Sequence, residues 1–186
     1  MNCTAQTTDE LLAMPDDGVR RWLIRGKLRE VFRGFRSPQN SRIMLRIGCY
    51  LSSWLDRQPL PRGEILCDEV GCRLRRDPDT TVGVDLIYLS PQLAATNPED
   101  ARFIEGAPIL AVEILLSNDT LEQITEKVAE YLDAGVLVVW LVNPNDRTVV
   151  VHRPGLDPEM FNQRQELSGE PHMPGLRIPV AEIFAR

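Results

Sequence analysis

Residues 109–116 read Ile-Leu-Ala-Val-Glu-Ile-Leu-Leu. Seven of these eight side chains are apolar, and the exception, Glu113, sits in the middle. An apolar run of this length is what a central strand covered on both faces requires. The next segment changes period. Over residues 119–134, Leu121, Ile124, Val128, Tyr131 and Leu132 recur at helical spacing. Asn118 or Asp119 can serve as N-cap and Gly135 as the C-terminal stop. Glu122, Glu126 and Glu130 fall on the opposite side of this helix, where water would solvate them. Residues 136–142 and 148–152 then read as a hairpin turned at Pro144-Asn145-Asp146.

Working upstream, residues 82–89 (Val-Gly-Val-Asp-Leu-Ile-Tyr-Leu) form a second strong strand run, preceded by residues 64–67 and 72–75, two short strands expected to meet around residues 69–71. Residues 91–95 resemble one helical turn. Residues 41–56 place Ile43, Leu45, Ile47, Tyr50, Leu51, Trp54 and Leu55 at helical spacing, closing before Pro59. A hairpin is expected from residues 20–24 and 27–32, joined at Arg25-Gly26, where glycine can take a positive φ. A short helix over residues 9–14, opened by Thr8 or Asp9, stops at Pro15-Asp16-Asp17-Gly18. Past Pro154 the chain is richer in Pro, Gly and polar residues and predicts a peripheral strand and a last short helix near residues 180–184. The expectation is one α/β (α+β) domain over residues 1–186, a central mixed sheet flanked by helices, with a core over residues 10–154 and a C-terminal peripheral extension over residues 155–186.

With 43% hydrophobic and 26% charged residues, the 186-residue chain can bury a core. No apolar run approaches the length of a membrane span, and the N-terminus is polar rather than signal-like, so no membrane partner is expected. Four cysteines form no CxxC pair and suit free thiols in a reducing cytoplasm. Two histidines 19 positions apart give little material for a zinc site, and the absence of Walker A and GxGxxG motifs leaves no nucleotide cofactor to expect. Of 21 basic residues only Lys27 and Lys127 are lysines.

Asp85 and Glu113 are acids inside apolar strands, and an isolated ionised carboxylate in a dry interior is costly. Two such residues in one sheet suggest a shared cause. Lys127 lies on the following helix, beside the buried stripe, and a short strand-to-helix return can bring its ammonium over the sheet. Two carboxylates plus a lysine make a site for Mg²⁺ or Mn²⁺, in which the ion acidifies bound water and offsets charge on a phosphoryl group. The alternative is that the acids are satisfied core groups, with Lys127 as an ion-pair partner.

At these residues the chain resembles the Uma-two family of restriction-endonuclease-like proteins in the PD-(D/E)XK nuclease superfamily. The resemblance is carried by residues 18–30 (GVRRWLIRGKLRE), 63–75 (GEILCDEVGCRLR), Val84-Asp85-Leu86, Val112-Glu113-Ile114-Leu115, residues 126–135 (EKVAEYLDAG) and Trp140-Leu141-Val142-Asn143-Pro144. It implies a restriction-endonuclease-like fold and metal-dependent hydrolysis of DNA. Asp85, Glu113 and the backbone carbonyl of Ile114 would be metal ligands, and Lys127 the signature lysine moved onto the helix. Val84 stands where the family has proline, and Lys27 where it has an acid, for which Glu30 is a candidate substitute.

From Arg20 to Arg46 there are nine basic residues against one acid, although the whole chain carries −6. Arg20, Arg25, Lys27, Arg29, Arg33 and Arg36, interleaved with Trp22, Phe32 and Phe35, form a candidate phosphate-binding stripe. Alternatively these arginines pair with acids elsewhere in the chain or across a homodimer interface. The competing functional reading is a non-catalytic nucleic-acid-binding or assembly module on the same fold.

Overall fold

The computed structural model describes residues 6–32, 36–98, 100–116 and 119–186. Strands β1 (Val19–Ile24) and β2 (Lys27–Phe32) pair through a two-residue turn in which Arg25 and Gly26 both have positive φ, 49° and 68°. That turn geometry matches the right-handed twist of the flanking strands. Helix α1 (Thr8–Leu12) precedes them, opened by a capping box between Thr7 and Glu10.

Helix α2 (Pro38–Leu55) begins before the predicted stripe, because Ser37 caps it and Pro38 suits the first turn. The two short strands expected around residues 69–71 are one continuous strand, β3 (Glu64–Arg75), paired antiparallel along β4 (Thr80–Leu89). A bulge at Asp68 and Glu69, both at positive φ, absorbs the residues that read as a turn. Helix α3 (Pro91–Thr96) and strand β5 (Ile104–Glu105) lead into β6 (Leu110–Ile114), every residue of which is buried.

Helix α4 (Leu121–Asp133) is capped by Thr120, not by Asp119; Asn118 lies outside the described residues. Strand β7 (Val138–Asn143) returns parallel to β6, and β8 (Thr148–His152) and β9 (Glu159–Asn162) follow antiparallel. The sheet order is β2-β1-β4-β6-β7-β8-β9, with β3 on the other edge of β4 and β5 beyond it. The result is the expected single α+β domain around a mixed sheet.

One face of the sheet packs against α2. There Ile43, Ile47, Leu51 and Trp54 meet Leu86, Val112, Trp140 and Val142. The chain after Pro154 adds the β10 (Glu166–Ser168) and β11 (Arg177–Pro179) pair and helix α5 (Val180–Ile183) to this face. Its Leu167, Met173, Ile178 and Ile183 are fully buried in the same cluster. Leu45 of α2, assigned to the core by spacing, is 67% exposed. The other face packs against α4 through Val128 and Tyr131, but Leu121, at the first position of the helix, is 80% exposed and outside that core. No described helix is long and apolar enough to cross a membrane.

Candidate active site

Strands β1 and β6 share one edge of β4. The β1 contact is at Leu23–Thr81 and the β6 contact runs over Leu86–Tyr88. Between these contacts the edge of β4 is released, and the backbone there takes other partners. The Gly83 carbonyl accepts a hydrogen bond from Lys127 Nζ at 3.1 Å. Asp85 Oδ2 accepts the Ile114 N–H at 2.8 Å. Continuing the β4–β6 register one step beyond Leu86–Val112 sets Asp85 opposite Glu113. Asp85 is 2% and Glu113 8% exposed, both as residues.

Glu113 Oε1 accepts hydrogen bonds from Lys127 Nζ at 2.7 Å and from the Tyr131 hydroxyl at 2.5 Å. Lys127 and Tyr131 are one helical turn apart on α4, so a single helix face delivers both donors. Burial pushes the Glu113 carboxyl above the usual range; the Lys127 ammonium opposes this, and Asp85 adds to it. The Tyr131 hydroxyl is raised well above its ordinary value, by burial first and then by Glu113, which keeps it a donor. Cys72 lies in the same layer, and burial holds its thiol at about 12, so it is no nucleophile at neutral pH.

The acids have further cationic neighbours. Asp85 Oδ1 accepts hydrogen bonds from Arg36 and from Arg20 Nη2, the latter at 3.4 Å. Arg20 Nε also pairs with Glu69 of the β3 bulge. Burial alone would lower the pKa of Arg20, but Glu113, Glu69 and Asp85 around it raise it. Above the cluster lies a cleft of about 330 Å³ whose lining includes Trp22, Glu69, Phe103, Glu113, Lys127 and Tyr131. The Lys127 ammonium stands 5.8 Å from the ring centres of both Trp22 and Tyr131.

Two opposed carboxylates are hard oxygen ligands of the kind that Mg²⁺ or Mn²⁺ takes, and both described hydrogen bonds to Glu113 fall on one of its oxygens. Among the described residues no group of three or more His, Cys, Asp and Glu could hold a metal ion unaided. Mg²⁺ keeps several waters and is commonly bound through one or two carboxylates, which is what Asp85 and Glu113 offer. The donor set therefore fits such an ion.

A family model described as "putative restriction endonuclease", Uma2, matches residues 8–181. The chain belongs to the Uma2 family. A crystal structure of a putative nuclease belonging to DUF820 from Anabaena variabilis ATCC 29413 superposes with a TM-score of 0.79 at 20% identity, covering 95% of this Uma2 chain and 96% of that one. At that identity the likeness establishes the fold. No curated protein matches the chain.

The structure brings Asp85, Glu113 and Lys127 together. Glu30 is elsewhere: it alternates off the face that carries Arg20 and Trp22, and it accepts a hydrogen bond from Arg21 at 2.7 Å. The acid beside the cluster is Glu69, which the sequence reading missed. Its signal was an acidic pair, Asp68-Glu69, inside a strand paired with another acid-bearing strand.

The basic stripe is largely held in internal pairs. Arg25 bonds Glu130 and Asp133, and Arg29 bonds Glu126, its Nη2 contact at 2.5 Å. Arg20 and Arg36 bond Asp85. Lys27 is exposed, and Arg33 and Phe35 lie outside the described residues. Glu130, expected on a solvated helix face, is 5% exposed because the β1–β2 turn covers it; Arg25 and the Thr80 hydroxyl both donate to it.

Proposed function

We propose that this Uma2 protein is a divalent-metal-dependent endonuclease acting on DNA. The observation that carries the reading is the opposition of Asp85 and Glu113 at the fork of β4, β1 and β6, with the Lys127 ammonium 2.7 Å from Glu113. Asp85, Glu113 and the Ile114 carbonyl would hold Mg²⁺ or Mn²⁺, which when bound acidifies water and offsets charge on a phosphoryl oxygen.

The chain's own groups do the rest. Glu113, fixed by Tyr131 and Lys127, orients water at the floor of the cleft. Lys127, tied to the Gly83 carbonyl, presents a compact positive charge to the phosphate as negative charge builds in the transition state. Trp22 and Phe103 give the cleft apolar walls that exclude bulk water. A homodimer would supply two such sites, one for each strand of a duplex. The free Cys49, Cys67 and Cys72 suit a cytoplasmic setting.

The test is cleavage of plasmid, linear duplex and single-stranded DNA with Mg²⁺ or Mn²⁺. Cleavage that Asp85→Ala and Glu113→Ala each reduce by about 10³-fold or more is expected; cleavage that survives Glu113→Ala, or none on any DNA form, overturns the reading. The pairing of Arg20 and Arg36 with Asp85 satisfies that acid without a metal, which suits a second reading, a metal-free nucleic-acid-binding module. That reading requires DNA binding that needs no divalent ion and survives Asp85→Ala.

A further inference from the structure

Asp85 has more positive charge on it than one carboxylate needs. Two guanidinium groups converge on its Oδ1, while its Oδ2 is satisfied by the Ile114 N–H. Arg36 uses only Nη2 there. Its Nη1 is buried and has no hydrogen-bond partner, and an orphaned buried donor costs stability. Arg36 stands at the entry to α2. Ser37 next to it caps α2, and Asn40 in the first turn donates to the Leu115 carbonyl at 3.3 Å, tying the start of α2 to the end of β6.

Charge counting gives this arrangement a meaning. Glu69, Asp85 and Glu113 carry three negative charges, and Arg20, Arg36 and Lys127 carry three positive ones. Among the described residues each of these acids thus already has a cationic partner. A divalent cation between Asp85 and Glu113 adds two positive charges in a poorly solvated place, where like charges repel strongly. The imbalance is relieved if the guanidinium groups leave Asp85 and take up an anion. A guanidinium offers a planar two-pronged donor edge that matches two oxygens of a phosphate, and Arg36 already holds one prong unused.

We propose that Arg20 and Arg36 are the phosphodiester ligands of this site, held on Asp85 in the metal-free protein and passed to the substrate phosphate when a divalent cation takes their place. The proposal rests on the nuclease reading and adds to it the groups that bind the scissile phosphate. It makes metal and arginine competitors for Asp85, and metal and phosphate cooperative partners.

The test uses the full chain and two probes, Mn²⁺ alone by titration calorimetry and a short phosphorothioate duplex by fluorescence anisotropy in Mn²⁺. Arg36→Gln and Arg20→Gln are each expected to bind Mn²⁺ about tenfold more tightly than wild type and the duplex about tenfold more weakly. Arg36→Lys keeps a charge but loses the two-pronged edge, so it is expected to leave Mn²⁺ affinity unchanged while still weakening the duplex. If a glutamine variant does not fold, as judged by circular dichroism, the lysine variants decide.

Folded glutamine variants whose Mn²⁺ affinity is unchanged or weaker, beside a wild type that binds Mn²⁺ in an Asp85-dependent way, overturn the inference and leave the nuclease reading standing. Lysine variants that keep full duplex affinity also overturn the inference alone. No Asp85-dependent Mn²⁺ binding in wild type or any arginine variant overturns both.

Discussion

The two faces of the sheet are built on different physics. On the α2 side, Ile43, Leu51, Trp54, Leu86 and Trp140 make an apolar layer closed by the C-terminal strands and α5. On the α4 side, Asp85, Glu113 and Glu130 are buried among a smaller apolar set, and their counter-ions come from the N-terminal hairpin, the start of α2 and α4 itself. A dry layer gains from each side chain separately. A charged layer is stable only as a set, since each ion depends on a partner, and the same dependence lets it respond to a new charge.

The largest expected effect is on the dry face. Trp140→Ala removes a fully buried side chain and is expected to cost about 4 kcal/mol in urea unfolding; a loss below about 1 kcal/mol would mean that this layer is not the main core. Next, Lys127→Met strands Glu113 and is expected to cost about 3 kcal/mol, with much of the loss recovered in the double variant carrying Glu113→Gln. The asymmetry sharpens the comparison. Glu113→Gln alone leaves the Lys127 ammonium without its carboxylate but still bonded to the Gly83 carbonyl, so it is expected to cost less than Lys127→Met, about 2 kcal/mol, while abolishing cleavage. A dry-face residue shows no such split.

The smallest effect is at the rim of the charged face, where α1 is moored. The Thr8 N–H and hydroxyl both donate to Asp79 Oδ2, at 2.8 and 2.5 Å. Partial burial works against the charged form of Asp79, but these hydrogen bonds outweigh it and hold its carboxyl below 3.8. A depressed folded pKa means stability that is present at neutral pH and lost as pH falls below about 3.8 through the folded value. Asp79→Asn is expected to cost about 1 kcal/mol at pH 7, with the two proteins converging in acid. A gap that stays constant with pH would show that the mooring is not charge-assisted.

Much of this was legible locally. The apolar run around Glu113, the helical stripe of Ile124, Val128 and Tyr131, and the Arg25-Gly26 turn each carry their structure in their own period or backbone freedom. The acids at 85 and 113 stood out because an acid in a buried strand needs a reason. Three features were not legible. A bulge at Asp68-Glu69 and a turn there have the same residues, and only pairing along β4 distinguishes them. Leu121 has the right spacing but lies at the helix start, beyond its packed core. Glu130 has the spacing of a solvated residue, yet the hairpin turn covers it.

By itself, the sequence marked most of the strands and helices, singled out Asp85, Glu113 and Lys127 as residues whose placement needs a reason, and showed that arginine dominates near the N-terminus. Tertiary structure alone decided where those arginines go: Arg20 and Arg36 onto Asp85, Arg25 onto Glu130, Arg29 onto Glu126. The reason is physical. Periodicity and local backbone preference act over a few residues, whereas an ion pair between positions 36 and 85 or 25 and 130 depends on how β1, β4 and α4 stack, which no local pattern encodes.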